Sequence, residues 1–199
     1  FTPSADPAAP SPESVQFQGL GPIPAGERLL FNDWAATPNE IVAALPDGTG
    51  ESVVLRAFRV WAFGVSNDRT KLAFAAGDPM QEENFGITIG DAIQPTFVYD
   101  TGCNTVGALT FGNLNDECHH FGPGDDYLYL CRRYDFTSDA MFKGYRAARV
   151  LLATGALEWL TPEEPSVFAI APRPTPDETA FYYYRVEVGG TRSVVKRTI

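Results

Sequence analysis

No apolar run in this chain approaches the roughly 18 residues that a membrane-crossing helix requires; its longest uncharged apolar stretches are strand length. Positive charge is also scarce. There are 15 Lys and Arg against 25 Asp and Glu, a net charge of -10. The two basic pairs, Arg132-Arg133 and Lys196-Arg197, stand alone among apolar segments. A nucleic-acid partner needs a continuous basic stripe to displace counterions from phosphate, and anionic lipid needs a comparable patch. Neither nucleic acid nor direct membrane insertion is therefore expected. Histidine occurs twice and cysteine three times, with no Cys-x-x-Cys pair and no His-Glu-x-x-His helix. The phosphate-cradling Gly-x-x-x-x-Gly-Lys loop and the Gly-x-Ser-x-Gly nucleophile elbow are missing too. Asp125-Asp126 and the Gly77–Glu83 stretch lack the alternating carboxylate spacing of a calcium loop. No catalytic residue, metal or cofactor is expected from these patterns.

What the chain does contain is a repeated unit. Four times a turn-forming cluster runs straight into a short apolar strand. The segments are Pro24-Ala-Gly-Glu-Arg-Leu-Leu-Phe31, Asn67-Asp-Arg-Thr-Lys-Leu-Ala-Phe74, Pro123-Gly-Asp-Asp-Tyr-Leu-Tyr-Leu130 and Pro176-Asp-Glu-Thr-Ala-Phe-Tyr-Tyr183. They align without gaps and recur about 43 to 56 residues apart. A period of this order marks an architecture built from copies of one small unit. Within each copy the order is the same: apolar strand, turn, second strand, variable loop, third strand, tight hairpin, outer strand. Hairpin signals such as Pro46-Asp-Gly-Thr-Gly50, Asp100-Thr-Gly102 and Thr154-Gly155 fall where that order requires them. Tyr145–Ala153 has helix-favouring Arg, Ala and Leu, but its place in the repeat and the following Thr-Gly predict a strand.

Runs such as Val60–Val65 and Phe181-Tyr-Tyr-Tyr184 are apolar without alternation, as expected of sheets covered on both faces. Small four-stranded antiparallel sheets packed face to face describe an all-β propeller of about four blades. The motif Ser66-Asn-Asp-Arg-Thr-Lys-Leu-Ala-Phe74, with Pro176-Asp-Glu-Thr-Ala-Phe181 and Leu45-Pro-Asp-Gly-Thr-Gly50, resembles the TolB-type, WD40-like propeller repeat. The resemblance covers roughly residues 19–199. It implies the propeller fold and a protein-binding or scaffold role, and it implies more blades than this chain holds. The expected boundaries are a Pro/Ala/Ser-rich tether over 1–13 and a propeller over 14–199, with blades at 19–58, 59–112, 117–162 and 165–199. Blade four lacks an outer strand, and residues 14–18 are expected to pair with Thr191–Thr198 and close the ring; the alternative is a fragment of a larger propeller, or one completed by a partner chain.

Loops joining second to third strands leave one face, so Asn32–Asn39, Ala76–Gln94 and Tyr134–Lys143 form the expected binding surface. The candidate contact residues there are Trp34, Asn84, Phe85, Phe136 and Met141. His119 and His120 begin the first strand of blade three and are candidates for the central channel. Cys103 and Cys118 bracket a Gly/Asn/Asp-rich loop, and a disulfide between them is expected to stabilise the fold by about 3 kcal/mol. Cys131, inside the apolar run Tyr127-Leu-Tyr-Leu-Cys131, reads as a buried small hydrophobe. With the tether, the expected disulfide points to a processed protein of the periplasm or extracellular space. The leading expectation is a non-catalytic propeller that binds another protein. A small-molecule or glycan binder with its ligand in the channel is one alternative. An accessory propeller of a larger enzyme or membrane complex is another.

Overall fold

The computed structural model describes residues 18–19, 21–33, 35–36, 39–57, 60–77, 94–110, 115–133, 144–164 and 166–199. Fifteen strands and no helix are present among them. They form four antiparallel sheets. Blade 1 holds β1 (Gln18–Gly19), β2 (Leu29–Asp33), β3 (Asn39–Ala44) and β4 (Ser52–Ala57) in the order β1-β4-β3-β2. Blade 2 runs β5 (Val60–Val65), β6 (Lys71–Ala76), β7 (Thr96–Asp100) and β8 (Thr105–Ala108). Blade 3 runs β9 (Asn115–Phe121), β10 (Tyr127–Arg133), β11 (Tyr145–Leu151) and β12 (Leu157–Trp159). Blade 4 has β13 (Val167–Pro174), β14 (Ala180–Glu187) and β15 (Arg192–Thr198). β5 packs on β9 and β9 on β13, so first strands neighbour one another along the axis. This is the β-propeller architecture that the repeats predict, and Tyr145–Leu151 is a strand despite its composition.

The backbone confirms the repeat to the residue. The third position of each aligned segment is Gly26, Arg69, Asp125 or Glu178, with φ of 84°, 60°, 57° and 52°. Every copy therefore reverses the chain through one left-handed residue, and glycine occupies that position only in blade 1. Side chains at the preceding positions stabilise the turn. Ser66 Oγ donates to Asp68 at 2.6 Å and accepts from the Lys71 amide at 2.8 Å. Thr175 repeats the pattern with Asp177 and the Ala180 amide.

The same turns lock neighbouring blades. The Asp125 carboxylate accepts from the Asn67 amide and Nδ2, both at 2.8 Å, and from the Asp68 amide at 3.0 Å. Tyr129 Oη donates to Glu178 at 3.0 Å across the next junction. Because glycine tolerates the Asp125 backbone angle, Asp125→Gly removes the three bonds without adding strain. It is expected to lower stability by about 1–2 kcal/mol, as solvent-exposed bonds to a charged acceptor would. Urea denaturation of the variant against the native chain measures the change.

The core lies between sheets. One cluster joins blades 1 and 2 through Ile41, Ala43 and Leu55 against Leu72, Phe74 and Phe97. A second joins blades 2 and 3 through Ala73 against Leu128, Leu130 and Val150. The third joins blades 3 and 4 through Tyr129 and Ala147 against Phe181 and Tyr183. No cluster among the described residues joins blade 4 to blade 1. Of the expected closing strand, residues 14–17 lie outside the described residues. Its one described residue, Gln18, pairs with Arg56, and Gly19 pairs with Leu55, so β1 extends blade 1 beyond β4. Among the described residues β15 pairs with β14 alone. Pairing with β4 closes a much shorter loop than pairing with β15 at the far end of the chain.

Candidate functional site

The first strand of blade 3 carries the densest set of ionisable groups, Asn115-Asp-Glu-Cys-His-His-Phe121. Strand alternation would place Asp116 and Cys118 on one face and Glu117 and His119 on the other. A bulge breaks this rule. Pairing to β10 skips between Tyr129 and Cys131, and Cys118 takes φ 59° opposite the gap. The bulge turns Asp116 and His119 to the same side, toward blade 2.

There they build a buried network. Arg132 Nε and Nη2 donate to the two Asp116 oxygens at 2.6 and 2.8 Å. Thr96 and Thr110 hydroxyls donate to Asp116 Oδ2 at 2.9 and 2.5 Å. His119 Nε2 lies 2.8 Å from the Thr96 hydroxyl. Asp116 is fully buried and Arg132 nearly so. Burial pushes the Asp116 carboxyl up, but the Arg132 charge, its hydrogen bonds and that of Thr110 outweigh it, so the acid titrates below its ordinary value. Burial lowers His119 to about 4; the Asp116 charge opposes the shift and the Arg132 charge adds to it. The ring is therefore neutral near pH 7. β5 approaches closely at this point, and a Cβ on Gly64 would sit 2.7 Å from the His119 carbonyl oxygen. His119 is thus a junction residue between blades 2 and 3. His120 is half-buried, and burial followed by the Arg173 charge lowers it to about 4.

On the other side of the bulge, toward blade 4, Glu117, Cys118 and Cys131 bring one oxygen and two sulfurs within 4.8 Å of one another. Tyr145 Oη donates to Glu117 Oε1 at 2.9 Å. Burial raises the Tyr145 phenol and the Cys131 thiol, whereas the hydrogen bond from Cys131 lowers the Cys118 thiol against its own burial. Two thiolates and a carboxylate supply three donors of the kind a zinc ion takes in a tetrahedral set of four. This group was not legible beforehand, because Cys118 and Cys131 meet only through the pairing of β9 with β10.

The Cys103–Cys118 disulfide is not formed; all three cysteines are free. Cys103 lies in the exposed turn between β7 and β8, its Sγ 2.9 Å from the Thr105 hydroxyl, and Cys118 lies on the first strand of the next blade. Loop closure along the chain was a poor guide, since the two cysteines belong to different sheets. In the reduced native protein a thiol reagent is expected to modify Cys103 first and Cys131 only on unfolding; time-resolved mass mapping of the labelled sites checks that order. Trp34, Asn84, Phe85, Phe136 and Met141 lie outside the described residues. The strands that carry their loops are in place: β2 leads to β3, β6 to β7 and β10 to β11. β2, β6 and β10 each end, and β3, β7 and β11 each begin, at the edge opposite the locked turns.

No protein-family model matches the chain, and no curated protein matches it. Solved structures do. TolB from Acinetobacter baumannii superposes with a TM-score of 0.65 at 13% identity, over 92% of this chain and 41% of that one. An oligogalacturonate lyase from Vibrio parahaemolyticus gives 0.54 at 13% identity, over 81% of this chain and 45% of that one. The acylaminoacyl peptidase of Pyrococcus horikoshii gives 0.54 at 16%, over 87% of this chain and 29% of that one. The chain spans less than half the length of each of these three. Identities this low carry the fold and leave activity aside. In architecture the chain is a β-propeller, alike in fold to TolB.

Proposed function

We propose that this chain is a non-catalytic binding module that engages another protein through the loops between second and third strands. One observation carries the reading: the two faces of the disc are built differently. The turn face is tight and cross-bonded, with Asp125 tied to Asn67 and Tyr129 to Glu178. The opposite face receives the long connections from β6 to β7 and from β10 to β11. A rigid scaffold with long insertions on one face is the usual way a propeller presents a recognition surface. The buried ionic side chains of blade 3 support the same reading. Asp116, Arg132 and His119 are engaged with one another and with threonines at a blade junction. The Pro/Ala/Ser-rich segment over 1–13 fits a tether, and we place the protein outside the cytoplasm on that ground.

A second reading, a small-molecule or glycan binder with its ligand in the central channel, is favoured by Glu117, Cys118 and Cys131 gathering beside the first strand of blade 3. One experiment separates the two. The native chain, an Asn84→Ala/Phe85→Ala variant and a Phe136→Ala/Met141→Ala variant are used to capture proteins from cell-envelope extract. The expected result is a partner retained by the native chain and lost by the loop variants. No retained protein, together with signal on a glycan array, would overturn the protein-binding reading.

A further inference from the structure

We infer that the two end faces of this four-blade arc are complementary halves of one blade junction, and that a second copy of the chain occupies each, blade 4 of one molecule seated on blade 1 of the next. The repeat register defines which residues face which neighbour. In every blade the aligned segment ends on a residue that faces the preceding blade. Phe74, Leu130 and Tyr183 fill this role, and Leu72, Leu128 and Phe181 lie two residues before them on the same face. All six are buried. The intervening residues face the following blade: Ala73 in blade 2 and Tyr129 in blade 3, both fully buried.

At the ends of the arc the same positions lie open. No described blade packs on the leading face of blade 1, where Leu29 and Phe31 are 52% and 40% exposed, while Leu30 turns inward onto blade 2. No described blade packs on the trailing face of blade 4, where Tyr182 and Tyr184 are 42% and 55% exposed. Val194, the cross-strand partner of Tyr184, is 65% exposed. Around Tyr184 the free face forms a groove of about 520 Å³ lined by Ile170, Val186, Arg192, Ser193 and Val194. Exposed aromatic and branched residues in contiguous rows are a surface that seeks cover.

Blade 1 of a second copy carries what the groove of blade 4 lacks. It presents the side of the junction that faces a preceding blade, with a leucine and an aromatic at the positions that Leu72 and Phe74 fill inside the arc. Charge favours the same pairing. Blade 1, over 18–57, holds five carboxylates, Glu27, Asp33, Glu40, Asp47 and Glu51, against Arg28 and Arg56. On its free side blade 4 carries Arg173 and Lys196 opposite Tyr182 and Arg192 opposite Val186, while Arg185 is bonded to Glu164 and Glu187. An acidic sheet therefore meets a basic one across the apolar row, whereas blade 4 on blade 4 or blade 1 on blade 1 brings like charges together. The contact joins unlike surfaces, so two copies close into a ring if the arcs fit, or many copies extend if they do not.

Light scattering and sedimentation test this with two variants, Phe31→Asp and Tyr184→Asp, whose substituted side chains are exposed and whose fold is checked by circular dichroism. The native chain is expected to exceed its 21.7 kDa mass as concentration rises. Added salt weakens that association. Each variant alone is expected to stay monomeric, since each spoils one half of every junction. Mixed in equal amounts they are expected to form a one-to-one dimer, because the intact blade 4 of one variant meets the intact blade 1 of the other. A native chain that is monomeric at all concentrations overturns the inference. So does a Phe31→Asp variant that still associates, or a mixture that stays monomeric. Leu29→Ser and Val194→Ser, milder changes on the same two faces, are expected to weaken association at least tenfold without abolishing it.

Discussion

Replacing Asp116 with alanine is expected to lower the unfolding free energy by about 3–5 kcal/mol, the largest single-residue effect anticipated in this chain. The carboxylate is fully buried and receives four hydrogen bonds, two from Arg132 and one each from Thr96 and Thr110. Removing it strands a guanidinium on a residue that is only 5% exposed. The loss comes from that uncompensated charge more than from the pair's intrinsic worth, because burying both ions in the first place is costly. A companion variant tests the distinction. Asp116→Leu combined with Arg132→Met removes both charges, and it is expected to recover most of the loss. Urea denaturation of the native chain, the single variant and the double variant measures both effects. A single-variant loss under about 1 kcal/mol would show that the pair is not desolvated as described. Domains of ordinary stability hold about 5–15 kcal/mol in all, so the single variant sits near the folding threshold.

Acid is expected to weaken the fold well before the carboxylates titrate. His119 has an ordinary value of 6.5 and is lowered to about 4 by burial, against the Asp116 charge and with the Arg132 charge. The folded state therefore favours the neutral ring. Above pH 6.5 both folded and unfolded chains carry it neutral, and stability is at its full level. As pH falls from 6.5 toward 4 the unfolded chain takes up a proton that the folded chain refuses, so stability declines across that window. Below about 4 both states are protonated and the decline from this group stops. The depth is roughly 3 kcal/mol, because each tenfold difference in proton affinity between the two states is worth about 1.4 kcal/mol. His120, lowered to about 4 by burial and Arg173, acts in the same direction and window. Denaturation curves at pH 7.5, 5.5 and 4.5 should show the loss, and His119→Gln should flatten it. Superimposable curves for the native chain and the variant would exclude His119 as the source.

The pH window and the ion pair share an origin that the sequence showed only in part. Asn115-Asp-Glu-Cys-His-His-Phe121 is visibly polar for a first strand, and it drew attention to His119 and His120 as channel candidates. His119 instead faces blade 2. The reason is the bulge at Cys118, which shifts the alternation by one and lets Asp116 and His119 share a face. A bulge carries no strong local signal here, since cysteine at φ 59° is not a residue one would choose for it. Cysteine pairing failed for a related cause. Cys103 and Cys118 are separated by a blade boundary, while Cys131, buried as its apolar strand predicts, is the neighbour of Cys118.

By itself the sequence determined the unit and its repetition. Turn residues restrict φ within a few positions, and apolar runs demand cover on both faces. Those are local requirements, and they placed the strands of blades 2, 3 and 4 and the reversals at Gly26, Arg69, Asp125 and Glu178. Only the tertiary structure decided how the units meet: which face of each sheet looks forward, where β1 pairs, and which charges are buried together. Such facts depend on contacts between residues far apart in the chain, whose energies come from desolvation and close packing, and no short stretch of residues carries a record of its distant neighbour.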